Sequence, residues 1–526
     1  MRNFSSPGRS TVIASNGMCA TSHPLAAKIA IQMLEQGGNA VDAAIAAAMI
    51  LNIAEPQMTG LGGDCFVLVK PAGVEEIIGL NGSGRSPAAL SSDSIRARHS
   101  IMPVHGVEAV TVPGAVDAMV TLSKDWGKLG LKTILAPAIH YAQQGIPVGA
   151  RTAFDWSSGA AFLQGVAKDY YLLNGKIPTE GQVFRAPQQA EVLRRIAMEG
   201  RGGFYEGEVA EDMVSSLNAL GGSHTMEDFA KTACDYVEPI TGTYRGTELV
   251  ELPPNGQGAT AILLGNILEQ FDLSALDPQS AQRVHIEAEA TKLAYDARNR
   301  FIADPDDQDV RLAHMLSPET ARQLAAMVDM EKAMEAPAVR SESVHKETVY
   351  LTVVDRDRMA VSLIYSIFHS FGSGMASDKF GLLFQNRGAG FTLEEGHPNE
   401  AAGSKRPMHT IIPAMLKNDG KVIMPFGVMG GQYQSTGHMR MVSNIVDYGM
   451  TPQESMDTPR SFAEAGELRL EDGYSEQVRA DLAALGHNVK VLDKPLGGAQ
   501  AIWIDEENDV LHGASDPRKD GCAIGY

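Results

Sequence analysis

The stretch Thr348-Val-Tyr-Leu-Thr-Val-Val-Asp355 decides the fold, because it is a β-type run that opens on a hydroxyl residue directly after a charged segment. Alternation places Thr, Tyr and Thr on one face of this strand and Val, Leu and Val on the other. Both faces carry bulk, which predicts a strand sandwiched between two layers. The small and charged composition of residues 329–347 predicts a mobile surface linker in front of it.

A second strand returns from the turn Asp355-Arg-Asp-Arg-Met359 as Ala360-Val-Ser-Leu-Ile-Tyr-Ser366. A three-residue loop at 356–358 pairs Asp355 with Met359, so the same register places Ser366 opposite Thr348. This loop requires a left-handed backbone at Arg358, which costs a non-glycine residue about 1 kcal/mol. A register shifted by one residue would instead place Ser366 diagonal to Thr348.

Two interpretations of facing hydroxyls at Thr348 and Ser366 follow from the residues alone. One is a cross-strand Thr–Ser pair, worth a few tenths of a kcal/mol. The other is a nucleophile held by its neighbour, since a threonine whose own α-amine is freed by chain cleavage can use that amine as its base. A soft preceding segment would suit such cleavage, because the backbone must distort there.

Composition restricts the partners of the chain. The 526 residues carry a formal charge of −20, and no long cluster of lysine and arginine occurs, which argues against binding nucleic acid or an anionic membrane surface. Neither a signal-peptide run nor a membrane-length apolar run is found. The four cysteines are far apart and lack zinc-like or redox spacing. We therefore expect a cytoplasmic protein that acts on a small molecule and needs no metal or cofactor.

The N-terminal half predicts helices and a glycine turn. Ser22-His-Pro-Leu indicates a helix start with Ser22 as the cap, and Asn39 precedes an Ala-rich second helix. Gly60-Leu-Gly-Gly-Asp64 is a glycine turn that leads into a strand. No GxGxxG and no GxxxxGK[ST] pattern occurs, which argues against a nucleotide site.

Taken together, these motifs resemble the γ-glutamyltransferases, which belong to the N-terminal nucleophile hydrolases. The resemblance runs through essentially the whole chain in order. Its matching segments are Gly37-Gly-Asn-Ala-Val-Asp-Ala-Ala, Gly60-Leu-Gly-Gly-Asp, Val112-Pro-Gly-Ala, the two strands of 348–366, Phe371-Gly-Ser-Gly374, Lys405-Arg-Pro-Met-His-Thr-Ile-Ile-Pro413 and Gly427-Val-Met-Gly-Gly431.

The resemblance implies a four-layer αββα sandwich, an α/β (α+β) fold, made as one precursor that cuts itself between Glu347 and Thr348. Residues 1–347 would form the large chain and 348–526 the small one, intertwined as a single domain. The two chains would form a heterodimer, and a dimer of heterodimers is one assembly that the resemblance allows. Thr348 would be the nucleophile and Ser366 the hydroxyl that orients it. Gly430 and Gly431 would supply the N–H groups that stabilise the oxyanion.

The substrate pocket departs from the family pattern. Ser83 stands where the family has the arginine that clamps the glutamyl carboxylate, and Phe368 replaces a pocket asparagine. The acidic pair that receives the α-amino group becomes Ala389-Gly390, and the double serine becomes His409-Thr410. Losing both the clamp and the ammonium acceptor would remove several kcal/mol of recognition. The chemistry is expected to persist without γ-glutamyl specificity.

Arg85, Arg387 and His409 lie in the segments that held the lost contacts, and together they suggest a small anionic amide bound by guanidinium. The pattern is similar to the oxamate amidohydrolase branch of the family, which hydrolyses oxamate to oxalate and ammonia in purine-ring (urate/allantoin) catabolism. Two alternatives stay open: a γ-glutamyltransferase or glutathione hydrolase with a clamp rebuilt on Arg85, and an unprocessed, non-catalytic homologue. A Ser-His-Asp hydrolase and a zinc enzyme are disfavoured, since neither GxSxG nor HExxH occurs.

Overall fold

Two seven-stranded sheets form the centre of the protein. The computed structural model describes residues 8–335 and 348–526; the end of the expected linker, from 336, and Glu347 lie outside them. The strands are β1 Val12–Ala14, β2 Met18–Thr21, β3 Asp64–Lys70, β4 Ile78–Gly82, β5 Ile146–Pro147, β6 Val183–Phe184, β7 Asp235–Val237, β8 Ile240–Tyr244, β9 Thr247–Glu251, β10 Val349–Val354, β11 Ala360–Ser366, β12 Ala414–Asn418, β13 Lys421–Met429, β14 Ser461–Glu464, β15 Glu467–Leu470, β16 Val489–Val491, β17 Gly498–Asp505, β18 Val510–Ser515 and β19 Cys522–Gly525.

All neighbours within the two large sheets are antiparallel. Sheet I has the order β1-β18-β17-β13-β12-β9-β8, and sheet II has the order β19-β2-β10-β11-β3-β4-β7. Each sheet combines strands from before residue 336 with strands from after residue 347. The β10–β11 hairpin lies in the middle of sheet II, between β2 and β3.

Helices cover the outer face of each sheet. One apolar cluster joins helices within residues 24–219 to sheet II, and a second joins helices within residues 258–301 and 434–446 to sheet I. No helix in the described ranges is both long and apolar enough to cross a membrane. The helices are α1 Pro24–Glu35, α2 Ala40–Ala54, α3 Ser92–Arg96, α4 Ala115–Trp126, α5 Leu131–Gln144, α6 Ala150–Gly159, α7 Ala167–Tyr171, α8 Pro187–Glu199, α9 Gly202–Tyr205, α10 Gly207–Ala219, α11 Met226–Lys231, α12 Gly258–Leu268, α13 Ala281–Phe301, α14 Leu312–Met315, α15 Pro318–Ala325, α16 Gln434–Val446, α17 Pro452–Asp457 and α18 Glu476–Ala484.

A third apolar cluster fills the space between the sheets and includes Phe66, Tyr350, Met415 and Ile502. The sheets approach closely at Gly427, where a Cβ atom would lie 2.3 Å from the Tyr350 ring. Helices, sheet, sheet and helices thus form four layers, so the expected αββα sandwich is confirmed. Every residue of β10 is buried, as bulk on both of its faces predicts.

The predicted hairpin register is also confirmed. Val349 lies opposite Tyr365 and Val354 opposite Ala360. Arg358 adopts the expected left-handed conformation, with φ of +59°. Its guanidinium donates to the Ser15 carbonyl at 3.2 Å and pairs with Asp509, and these contacts offset the backbone cost. The register fixes which residues meet at the open end of the hairpin.

One predicted cap is wrong. The residue that caps α1 is His23, whose Nδ1 accepts from the Leu25 N–H at 3.2 Å, with Pro24 in the first turn. Ser22 instead donates its hydroxyl to the buried Glu55 carboxylate at the end of α2. A buried carboxylate needs a hydrogen-bond donor, and this requirement takes precedence over the local preference of serine for a cap. The expected Ala-rich second helix is present as α2, and Asn39 caps it.

Candidate active site

The open end of the β10–β11 hairpin brings Thr348 and Ser366 together. Thr348 Oγ1 donates to Ser366 Oγ at 3.4 Å, and both residues are buried. Ser366 Oγ also accepts from the Phe368 N–H at 2.8 Å and from Arg387 Nη2 at 3.2 Å. The serine hydroxyl is therefore held from several sides. It can fix the position of the threonine hydroxyl next to it.

Arg387 is a fully buried cation beside this pair. It begins a short 3₁₀ helix, Arg387–Gly390, and its Nη1 donates to Thr410 Oγ1 at 3.0 Å. Its guanidinium carbon lies 4.0 Å from the centre of the Phe368 ring. Burial lowers the pKa of Arg387 to about 9, while the nearby Asp64 raises it. Within residues 8–335 and 348–526 it forms no ion pair, so its hydroxyl and aromatic partners leave its charge available to an anion.

His409 is bonded at both ring nitrogens. Its Nδ1 accepts from the Ile411 N–H at 3.3 Å, so Nε2 carries the proton and donates to Asp64 Oδ2 at 3.0 Å. Burial and the nearby Arg387 lower the pKa of His409 to about 3, and the ring is therefore neutral. Asp64 Oδ1 in turn accepts from the N–H groups of Gly84 and Gly114. The imidazole holds loops together around Asp64, and the expectation that it also contacts substrate stays a prediction.

The two residues predicted on the loop after β4 have partners of their own. Ser83 Oγ accepts from Asn255 Nδ2 at 3.1 Å. Arg85 forms ion pairs with Asp304 at 2.7 Å and Asp306 at 2.6 Å, and about a third of its side chain is exposed. The charge of Arg85 is therefore balanced by carboxylates, whereas that of Arg387 is not. This difference singles out Arg387 as the stronger candidate for binding an anionic substrate.

Gly430 and Gly431 follow β13 and lead into a helix. The 3₁₀ turn Gly431–Tyr433 continues directly as α16. The two glycines have φ of +122° and +57°, a region that disfavours other residues, and a Cβ on Gly430 would lie 2.9 Å from Gly497 Cα. The first N–H groups of a helix have no partner within it and attract negative charge. This loop can therefore stabilise an oxyanion.

A small cavity of about 110 Å³ lies beside these groups. Phe368, whose N–H bonds Ser366, forms one wall, and Gln432 of the glycine loop forms another. The Ala389-Gly390 pair also lines the cavity, as does Arg298 from α13. The remaining lining residues are Ile101, Met102, Val104, Asn299, Ile302, His369, Phe391, Thr392, His397, Asn399 and Met408. A cavity of this size suits a compact ligand, because drug-sized ligands occupy about 300–1,000 Å³.

Sequence reasoning missed several polar residues here. Gln257, Tyr295 and Arg298 are buried close to the glycine loop, and Asp64 organises the loops around His409. Asp64 ends the Gly60-Leu-Gly-Gly-Asp motif, and this motif could have identified Asp64 as a site residue. Gln257 lies in the segment Pro253-Pro-Asn-Gly-Gln-Gly258, whose composition predicts only a turn, and its side-chain partners are far away in sequence.

One cluster elsewhere has the residue types of a metal site. His285, Glu289 and His487 place a ligand atom each within 4.8 Å of one another. His285 Nδ1 lies 2.8 Å from His487 Nε2, and Lys292 pairs with Glu289 at 2.7 Å. The lysine ammonium supplies the charge that a cation would supply. We therefore assign the cluster a structural role, in which Glu289 also accepts from the Met334 N–H at 2.9 Å.

Comparison with known proteins gives matches along nearly the whole chain. The family model for gamma-glutamyltranspeptidase matches residues 26–526. The chain is 36% identical to the glutathione hydrolase-like YwrD proenzyme of Bacillus subtilis, over 98% of this chain and 99% of that one. It is 35% identical to the oxamate amidohydrolase proenzyme of Klebsiella pneumoniae, over 98% and 100%. The cephalosporin acylase of Bacillus halodurans superimposes with a TM-score of 0.93 at 36% identity, over 100% of this chain and 99% of that one. The chain therefore belongs to the gamma-glutamyltranspeptidase family, whose members hydrolyse amide bonds as N-terminal nucleophile hydrolases.

Proposed function

We propose that the chain cuts itself between Glu347 and Thr348 and then hydrolyses the amide of a small, carboxylate-bearing substrate, with oxamate as the best candidate. The observation that carries this proposal is the buried Arg387, which has no ion pair among the described residues and contacts the serine that contacts Thr348. A carboxylate on the substrate would supply the missing counter-charge next to the reacting amide. Phe368, whose ring lies 4.0 Å from the Arg387 guanidinium, also lines the small cavity, and this favours a compact substrate.

The chemistry follows from an N-terminal threonine. The α-amine of Thr348 takes the proton of Oγ1, which attacks the amide carbonyl, and the N–H groups of the Gly430-Gly431 loop stabilise the resulting oxyanion. The ammonium then gives its proton to the leaving nitrogen, and ammonia departs. Water, activated by the same amine, hydrolyses the ester. Oxamate and water thus give oxalate and ammonia, and Thr348 is restored.

The named relatives support the proposed self-cleavage and reduce the number of candidate substrates. The Bacillus and Klebsiella proteins are both named as proenzymes, which fits cleavage into a large and a small chain. The Klebsiella protein is named for oxamate. We further propose, as the resemblance to that branch implies, that the reaction takes place in the cytoplasm and serves purine-ring catabolism. The name of the Bacillus relative makes a γ-glutamyl substrate the alternative, although Ala389-Gly390 offers no carboxylate to an α-amino group.

The test compares ammonia release from oxamate and from oxamide, which has the same size without the charge, alongside release of aniline from a γ-glutamyl anilide. We expect Thr348-dependent turnover of oxamate, at least about tenfold faster than oxamide, since a charge-assisted hydrogen bond is worth about 1.5–3 kcal/mol. Turnover of the anilide alone would replace oxamate with the γ-glutamyl alternative. An uncut chain without any activity would support the non-catalytic alternative.

A further inference from the structure

A buried glutamine joins two loops of the active site. Gln257 precedes α12 and is fully buried. Its Nε2 donates to the Thr410 carbonyl at 2.7 Å and to the Gly431 carbonyl at 3.1 Å. The hydroxyl of the same Thr410 accepts from Arg387. One amide group therefore connects the arginine beside the nucleophile with the glycine loop.

Arg298 fixes the orientation of this amide. Its Nη1 donates to Gln257 Oε1 at 2.9 Å and also to the side chain of Gln432. A guanidinium only donates, so Oε1 must face it and Nε2 must face the two carbonyls. Arg298 is buried and, within the described ranges, makes its hydrogen bonds to neutral oxygens and no ion pair. Such a site is costly for a cation, which indicates that the arginine serves more than packing.

Neighbouring carbonyls of the glycine loop are held as well. The Tyr433 N–H donates to the Gly430 carbonyl at 3.1 Å, and the Tyr295 hydroxyl donates to the Gln432 carbonyl. Because a peptide unit is planar and trans, its N–H points away from its C=O. Holding the Gly430 carbonyl therefore fixes the direction of the Gly431 N–H, one of the two groups expected to stabilise the oxyanion. Holding the Gly431 carbonyl fixes the peptide unit that follows it and so the shape of the loop.

We propose that Gln257, Arg298 and Tyr295 are positioning residues that hold the loop Gly430–Gln432 in the geometry needed to stabilise the oxyanion. The proposal rests on the function proposed above. Donors that are already oriented stabilise the charge that develops in the transition state without reorganising. A group misplaced by about 1 Å can cost about 10²-fold in rate. The effect should therefore fall on acylation and leave substrate binding largely unchanged.

Gln257→Met tests the proposal, because methionine keeps the volume and removes all three hydrogen bonds of the amide group. We would measure the pre-steady-state burst of nitrophenolate from 4-nitrophenyl acetate, corrected with Thr348→Ala and normalised to the cleaved fraction by intact mass. An ester of this kind reports acylation whatever the natural substrate is. We expect the burst rate to fall about 10–10²-fold and the KM for oxamate to stay within about threefold. Tyr295→Phe, a milder change, should lower the burst rate about three- to tenfold and serves if Gln257→Met does not fold.

The matched control is Gln453→Met. Gln453 is also buried, and its amide exchanges hydrogen bonds with the Ser515 backbone away from the glycine loop. This variant should lose similar thermal stability with an unchanged burst. Gln257→Met and Tyr295→Phe bursts within about twofold of wild type, or a loss equal to that of Gln453→Met, would overturn the proposal. A normal wild-type burst without oxamate turnover would reject oxamate alone, whereas a wild type without any Thr348-dependent burst would reject both proposals.

Discussion

Thr348 and Ser366 face each other at the open end of the β10–β11 hairpin, and the threonine hydroxyl donates to the serine hydroxyl across 3.4 Å. The distance is longer than the usual 2.7–2.8 Å between hydroxyls, so the bond is weak in itself. The bond matters because it orients the Thr348 hydroxyl, since Ser366 Oγ is itself held in place by the Phe368 N–H and by Arg387. Ser366 can therefore couple the position of these loops to that of Thr348, the proposed nucleophile.

We therefore expect Ser366→Ala to lower kcat by about 10–10²-fold while the protein stays folded. Steady-state kinetics and a thermal unfolding curve would check this. Ser362→Ala is the matched control on the same strand. Ser362 is equally buried, but its hydroxyl contacts Tyr350 and backbone groups between the sheets. Equal losses of kcat in both variants would show that Ser366 acts only through stability.

Thr348→Ala should abolish self-cleavage and turnover together, because the same hydroxyl serves both. Cleavage after residue 347 of 526 leaves chains of 347 and 179 residues, which intact-mass analysis resolves. Thr348→Ser keeps a hydroxyl and should still be cut. A wild-type chain that remains at its full mass would contradict the nucleophile assignment, and the Thr–Ser contact would then be only a cross-strand pair.

Arg387→Met should weaken substrate binding without lowering the stability of the fold. Removing the guanidinium should raise the KM for oxamate about 10–10²-fold and remove the preference for oxamate over oxamide. The melting temperature should hold or rise, because a buried cation without a carboxylate partner is costly. Arg440→Met is the contrasting control. Arg440 is buried in an ion pair with Glu287, and losing this pair should lower the melting temperature, although Arg283 still contacts Glu287 at 2.9 Å. Similar destabilisation in both variants would argue that Arg387 is structural.

The sequence predicts much of this site because the pairing of Thr348 with Ser366 depends on a single hairpin, whose strands are close in sequence. The alternation in β10 and a three-residue loop are enough to place Ser366 opposite Thr348, and Arg358 adopts the strained conformation that this loop requires. The contacts of Gln257 and Arg298 could not be predicted in the same way. The contacts that join them to each other and to the glycine loop link residues 41 to 174 positions apart, and no period or turn signal spans such distances. The preference of serine for helix caps also gave a wrong prediction at Ser22, because its hydroxyl donates to the Glu55 carboxylate, which is distant in sequence.

The ionisation of Glu55 predicts how the stability of the protein depends on pH. Burial raises the pKa of Glu55 from its ordinary value of 4.5 to about 7, although Lys519 and the Ser22 hydroxyl oppose the shift. Between about pH 4.5 and 7 the unfolded chain ionises Glu55 while the folded one keeps it protonated. Its contribution to stability is therefore complete below pH 4.5 and is lost as the pH rises towards 7, by about 1.4 kcal/mol for each unit of pKa difference.

Glu55→Gln mimics the protonated form and should remove this dependence. The loop after Glu55 contacts the segment that follows Ser366, since the Met58 carbonyl accepts from the Ile367 N–H at 3.4 Å and the Gln57 carbonyl from the Phe371 N–H at 3.0 Å. Urea unfolding of both proteins from pH 5 to 8 measures the effect, and the free energy of unfolding of wild type should fall relative to the variant by up to a few kcal/mol. A difference that stays constant over this range would mean that Glu55 ionises alike in the folded and unfolded chains, and that the Ser22–Glu55 contact does not respond to pH.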